Sequence, residues 1–306
     1  MASETASTSN IRIILHGKAS AREDIRLSIA KLREQGHHVS VRVTYEAGDT
    51  ARLAREAVQE AEIEAIDVLV AGGGDGTLNE VAGAVCAVTD GAPPFDLAVL
   101  PLGTANDFAR SIGIDPADID GCLRYAAEGT ACPLDIGRVN SSYFVNMATG
   151  GFGARVTAET DPRLKKLFGG VSYLFAGLQR VGEMSACSGR ITADGFDWQG
   201  NFVALALGNG RQAGGGVQLC PNAKFDDGLI DLALLPVPES GEVSELFGEL
   251  VEGGPEGLRR RMITHRAASF LMEGDEDLQL NLDGEPLKAN RFEIAVLPGA
   301  LNFRRP

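Results

Sequence analysis

VLVAGGGDGTLNE, residues 68–80, passes from an apolar run through three glycines into a helix-prone segment. Apolar strand, glycine-rich turn and helix start, in that order, make the βα unit of a parallel sheet. Glycine inside a regular element costs roughly 0.5–1 kcal/mol relative to alanine. Three in succession at a strand end therefore call for a specific use. AVLPLGTANDFAR, residues 98–110, repeats the plan on the next apolar run. Each turn is followed by a threonine and an asparagine, Thr77 and Asn79 in one, Thr104 and Asn106 in the other.

Upstream, IRIIL (11–15) and the alternation Val39, Val41, Val43 read as strands. Between them Ile25, Ile29 and Leu32 fall at helical spacing before Gly36, and Asp49 is placed to cap a helix carrying Leu53, Ala57 and Ala61. IDVLV (66–70), a helix from about Thr77, LAVLP (97–101) and a helix near Asp107 complete a β-α-β-α-β-α-β series. That order predicts an α/β domain with a doubly wound, mostly parallel sheet.

From about Leu134 the pattern changes to strand-like runs bounded by Gly, Asn and Asp: DIGRV, SYFVNMA, SGRITADG, FDWQGNFVALALG, LIDLALLPV, AASFLME, LQLNLDG and NRFEIAVLP. These predict an all-β antiparallel sandwich with helical interruptions near 165–182 and 239–252. The expected domains are 1–136 and 137–290, with 291–306 free to return to the first.

The chain has 306 residues, enough for two domains, with 44% hydrophobic and 23% charged residues. A formal net charge of −14 argues against nucleic-acid binding, which needs a concentrated basic surface. Five scattered cysteines with no CxxC spacing fit a reducing compartment and no zinc site. MASETASTSN lacks the apolar region of a secretory signal, and no apolar run is long enough to span a bilayer. A cytoplasmic protein, with possible peripheral membrane contact, is expected.

Beyond the C-terminal ends of parallel strands, helix N-termini offer unpaired amides and a positive dipole end to phosphate. The first turn is not a Walker A loop, which requires GxxxxGK[ST]. Nor is it the dinucleotide fingerprint, because Asn79 stands where the third glycine of GxGxxG belongs.

GGGDGTLNEV together with PLGTANDFAR resembles the catalytic domain of the diacylglycerol kinase and lipid kinase superfamily. NMATGGFGARV (146–156), GNGRQAGGGVQLCPNAKFDDGLIDL (208–232) and NLDGEPL (281–287) resemble more narrowly its YegS-like bacterial lipid kinases. GGDGT alone is shared with NAD kinases; the later blocks narrow the likeness, which runs from about residue 11 through nearly the whole chain.

The resemblance implies an ATP- and Mg²⁺-dependent lipid kinase. Carried over residue by residue, Gly73, Gly74, Asp75, Gly76, Thr77, Leu78 and Asn79 would line the nucleotide phosphates, with Thr104 and Thr44 as further nucleotide contacts. Asp75 adds negative charge near phosphate, which a bridging Mg²⁺ or a role in orienting the acceptor hydroxyl would explain. The family places a magnesium on the Asp227 side chain and the main-chain carbonyls of Lys224 and Leu229. On spacing alone, that stretch is equally an Asp-Asp-Gly turn. Glu285 matches the family's proton acceptor, while Asp283-Gly284 before it reads as a hairpin turn.

The turn after the first strand, LHGKAS, departs from the Asn-Pro-x-Ser-Gly pattern of many members, and Lys18 is either a phosphate contact or a solvated lysine. RLKKLFGGVSYLFAGLQR (163–180) has basic and aromatic residues without an acid. It is either a packed helix or a segment that meets a lipid headgroup surface. The implied acceptor is a lipid hydroxyl, with phosphatidylglycerol favoured. A kinase of a soluble acceptor such as NAD and a nucleotide-sensing module are the alternatives. No obligate protein partner is evident.

Overall fold

The computed structural model describes residues 8–151, 186–237, 252 and 260–306. The 163–180 segment and the expected helical interruptions lie outside the described residues, apart from Glu252. The chain divides into two compact units, residues 1–134 with 299–306, and residues 135–298. Of the terminal segment 291–306, residues 299–306 therefore belong with the first unit. No helix among the described residues is long and apolar enough to cross a membrane.

The first unit is an α/β layer. In chain order it contains β1 (Asn10–Leu15), α1 (Glu23–Glu34), β2 (His38–Val43), α2 (Asp49–Glu60), β3 (Val68–Gly73), α3 (Asp75–Thr89), β4 (Asp96–Pro101), α4 (Asp107–Ser111) and α5 (Ile119–Glu128). β1 pairs in parallel with β2 and β3, and β3 with β4, so the order is β2-β1-β3-β4. The order reverses between β1 and β3, where such sheets bind their ligands. β3 is buried along its whole length because helices cover the sheet, α1 packing with α5 and α2 with α3. Its apolar run is therefore continuous and does not alternate.

Two local expectations change. Asp49 does not cap α2: Gly48, at φ +87, is the cap residue, and Asp49 occupies the first turn. Its carboxylate reaches back to accept the amides of Tyr45 (2.8 Å) and Glu46 (3.2 Å), closing the loop after β2. α5 has no counterpart in the sequence reading, although Ile119, Cys122, Leu123, Ala126 and Ala127 bury one helical face. Asp118 caps it by accepting the Gly121 amide at 2.8 Å.

The second unit is the antiparallel β-sandwich. Its strands are β5 (Thr130–Val139, entering from the first unit), β6 (Ser142–Phe144), β7 (Met147–Gly151), β8 (Cys187–Ala193), β9 (Phe196–Gly208), β10 (Gln212–Ala213), β11 (Val217–Gln218), β12 (Ile230–Pro236), β13 (Ile263–Ala267), β14 (Ser269–Leu282) and β15 (Glu285–Arg305). β9 pairs with β8 along its first half and β7 along its second, and β14 meets the same two strands in the same order, β8 at Leu271–Glu273 and β7 at Leu280–Leu282. These long strands alternate where one face is wet and become uniformly buried where both faces are covered. Phe144, Phe202, Leu280 and Phe292 fill the core between them.

AASFLME and LQLNLDG, expected as two strands, are one strand, β14. The charged EGDE cluster between them is absorbed as a register shift between Glu273 and Leu278 against β15. β15 is likewise longer than expected. Its final residues pair in parallel with β4 at Phe303 and Leu97, and Phe303 meets Phe108 edge to face at 4.9 Å. Arg304 anchors the same end through Asp96 (2.9 Å) and the Ala127 carbonyl (2.7 Å).

Candidate functional site

In the first unit the turns after β1, β2, β3 and β4 are tied together. The His16 amide donates to the Gly72 carbonyl at 2.8 Å, and the Thr44 amide to the Leu15 carbonyl at 3.0 Å. The Gly17 amide donates to Thr44 Oγ1 at 3.2 Å. A Cβ on Gly17 would come within 2.3 Å of the Thr44 carbonyl oxygen. Thr44 is buried and thus fixes the β1 turn. Lys18 follows on an exposed one-turn helix, where its amide donates to His16 Nδ1 at 3.3 Å.

The glycines of the β3 turn are explained by close approach. None of Gly72, Gly73, Gly74, Gly76 or Gly103 has positive φ. A Cβ on Gly73 would lie 2.2 Å from Thr77 Oγ1, and one on Gly103 would lie 2.6 Å from the Gly74 Cα. The β3 and β4 turns therefore touch backbone to backbone. The Leu102 amide adds a hydrogen bond to the Gly73 carbonyl at 2.7 Å.

Asp75 completes this lock. Standing in the first turn of α3, it accepts the Asp107 amide on one carboxylate oxygen and the Phe108 amide on the other, both at 3.1 Å. Burial pushes its carboxyl above the ordinary range, against the downward pull of those two amides. Asn106, in the left-handed region at φ +51, accepts the Gly103 amide at 2.9 Å and donates to the Gly103 carbonyl at 3.0 Å. Thr104 is left exposed at the tip of the closed turn.

Among the predicted nucleotide contacts, Gly76 is exposed with open space where a Cβ would point, and Thr77 is half-buried. Leu78 and Asn79 are buried, and the Leu78 amide is engaged with the Gly74 carbonyl. They form the wall behind the turn. Asn79 Oδ1 is buried without a hydrogen-bond partner. What the arrangement offers an anion is the first turn of α3, whose amides have no intrahelical acceptor.

In the second unit, Gly228 at φ +69 turns the 224–229 loop, and its amide donates to Asp135 Oδ2 at 2.7 Å. The Asp135 amide donates to the Phe225 carbonyl at 2.6 Å, so this buried aspartate grips the loop twice. Asp227 accepts the Leu229 amide at 3.2 Å on one oxygen and pairs with Arg266 through the other. Arg266 also pairs with Asp231 at 3.0 Å. Burial raises the Asp231 carboxyl, and Arg266 opposes the rise. Two carboxylates thus share one guanidinium. Carboxylate and main-chain oxygens are the donor types a hard cation takes; here the Leu229 amide and Arg266 engage one Asp227 oxygen each. No group of three acidic, His or Cys side chains gathers as a metal site among the described residues.

Glu285 is exposed at the start of β15, paired across the turn with Leu282. Asp283 at φ +48 and Gly284 at φ +111 make the two-residue hairpin expected from their sequence. The Asp283 carboxylate also accepts the amides of Val145 (2.7 Å), Asn146 (2.9 Å) and Met147 (2.8 Å). Sequence reasoning named Asp283 only as a hairpin residue and Asn106 only as the Asn after the second turn, without their partners, and missed Asp135 and Arg266.

Comparison with known proteins matches residues 10–139 to the diacylglycerol kinase catalytic domain. Residues 146–304 match the YegS C-terminal NAD kinase beta sandwich-like domain. A Pseudomonas aeruginosa (PAO1) protein named "Probable lipid kinase YegS-like" is 47% identical over 298 residues, covering 97% of this chain and 94% of that one. One of the same name from Cronobacter sakazakii is 46% identical over 295 residues, covering 96% and 95%. A crystal structure of a diacylglycerol kinase from Bacillus anthracis str. Sterne superposes with TM-score 0.76 at 22% identity over 97% of each chain, a likeness of fold.

Proposed function

The chain belongs to the YegS-like lipid kinases of the diacylglycerol kinase catalytic-domain family, and on that premise we propose that it transfers the γ-phosphoryl group of ATP, with Mg²⁺, to a lipid hydroxyl, that of phosphatidylglycerol or a related glycerolipid. The observation that carries this reading is the interlocked pair of turns after β3 and β4, stitched by Asp75 and by the Gly74–Gly103 approach.

Phosphoryl transfer asks a protein mainly for positioning and charge stabilisation. The amides of Gly74, Asp75, Gly76 and Thr77 open α3 toward the phosphates, Gly73 lets the backbone come close, and Thr104 is available from the second turn. Leu78 and Asn79 support the turn from behind, and Thr44 holds the β1 turn beside it. Asp75 acts through the second turn, since both its oxygens are spent there. Glu285 accepts the proton of the lipid hydroxyl as that oxygen bonds to the γ-phosphorus. The bond from the γ-phosphorus to the β–γ bridging oxygen breaks, and ADP leaves.

Mg²⁺ at Asp227 and the carbonyls of Lys224 and Leu229 would supply positive charge and fix the 224–229 loop. The basic and aromatic composition of 163–180 supports peripheral contact with an anionic headgroup surface. The test is incubation of the purified protein with γ-labelled ATP, Mg²⁺ and separate acceptors: phosphatidylglycerol, diacylglycerol, a sphingoid base and NAD. Label in phosphatidylglycerol is expected. Label in NAD alone, or in nothing while ATP still binds, would overturn the proposal in favour of a soluble-acceptor kinase or a nucleotide sensor.

A further inference from the structure

We propose that Asp283 is a positioning residue for phosphoryl transfer, holding the hairpin that presents Glu285. The inference rests on the reading of Glu285 as proton acceptor and adds what aims it. A two-residue hairpin tip needs φ above zero at both positions, and Asn satisfies that as well as Asp. The turn alone does not ask for a charge. What asks for it is the neighbouring chain: three successive amides, of Val145, Asn146 and Met147, converge on the Asp283 carboxylate at 2.7–2.9 Å. A carboxylate accepts on both oxygens, whereas an Asn side chain has one acceptor oxygen and would set its NH₂ against an N–H. The Asp283 amide closes the clamp on the Met147 carbonyl at 3.1 Å.

The clamped segment is itself fixed from behind. Asn209, fully buried, donates through Nδ2 to the Val145 carbonyl at 2.7 Å and the Asp135 carbonyl at 2.8 Å. The Asn209 and Gly210 amides both donate to the Asn146 carbonyl. Asn146 Oδ1 and Asn209 Oδ1 meanwhile stay buried without partners. Orphan polar atoms destabilise a fold. A network that tolerates them at the root of this hairpin is better explained by orientation of the hairpin than by stability. Glu285, two residues from the clamp and otherwise exposed, gains a fixed direction from it.

The experiment is a double-mutant cycle in the full-length protein, reading kcat, KM for ATP and the melting temperature of Asp283→Asn, Glu285→Gln and the double variant. Asp283→Gly, which takes φ +48 freely, serves if Asp283→Asn does not fold. Asp283→Asn is expected to lower kcat about 10- to 100-fold with KM for ATP within about twofold, because a small misplacement of a catalytic group costs on that order. In the Glu285→Gln background the same change is expected to cost nothing further. A full second loss in the double variant, or unchanged kcat in Asp283→Asn, would overturn the proposal. Unchanged turnover in Glu285→Gln alone would instead remove Glu285 as the base, a separate failure that takes this inference with it.

Discussion

Replacing Asp75 by alanine tests whether the two turns work as one device. The change deletes an acceptor for the Asp107 and Phe108 amides, whose residues are 3% and 1% exposed. A buried amide deprived of its acceptor costs about 1–3 kcal/mol, so two give about 2–6 kcal/mol. Relief of the carboxylate's own burial, which raises its pKa, returns part of this. A net loss of about 2–3 kcal/mol follows, or a melting temperature lower by about 5–10 °C for a unit of this size. With the turns uncoupled, kcat/KM for ATP should fall about 100-fold. Asp75→Asn keeps one acceptor oxygen and should lie between. The sign with pH is defined: the folded carboxyl titrates above its ordinary 3.8, so its contribution to stability is complete below 3.8 and is lost as pH rises through the folded value. Wild type should gain on Asp75→Asn as pH is lowered through that window. Thermal melts across pH 3–8 with steady-state kinetics decide it. A melting temperature and kcat/KM both unchanged in Asp75→Ala would refute the coupling of the turns.

Three other outcomes are expected. Glu285→Gln should lower kcat by roughly 10²–10⁴-fold while leaving KM for ATP within about twofold, as measured by lipid phosphorylation. Gly103→Ala sets a Cβ 2.6 Å from the Gly74 Cα, where no real contact sits; the turns must part, and KM for ATP should rise at least about tenfold without loss of fold. Asp49, paired with Arg52 and accepting the Tyr45 and Glu46 amides, has its carboxyl lowered from 3.8 to about 2. Its contribution is present above pH 3.8 and lost as pH falls toward 2, so Asp49→Asn should flatten the acid limb of the melting curve.

The parallel layer was legible because β1, β3 and β4 are buried apolar runs and β2 alternates Val39, Val41 and Val43, and each of the four ends at a Gly, Pro or polar break. The sandwich was legible from short alternating runs. EGDE in β14 was read as a break because charged clusters between apolar runs resemble turns, whereas antiparallel pairing absorbs them as a bulge. α5 was missed although its spacing was available, the Asp118 cap being the clue. The turns after β3 and β4 were legible as glycine-rich breaks after apolar strands, but the crowding of Gly74 against Gly103 was not, because it is a contact between residues distant in sequence. Asp75 reaches a helix 32 residues away, and Asp283 a segment 136–138 residues away. No local pattern contains such partners, so the hydrogen bonds that these two carboxylates accept could not be read from the sequence.

The main-chain amides at the ends of β3 and β4 are the proposed seat of the nucleotide triphosphate, on which the other roles depend. Amide hydrogen exchange, compared with and without a non-hydrolysable ATP analogue and Mg²⁺, reads them one segment at a time. Slower exchange concentrated in residues 73–79 and 102–107 is the predicted result. Saturating analogue that binds the protein yet leaves both segments unchanged would contradict it.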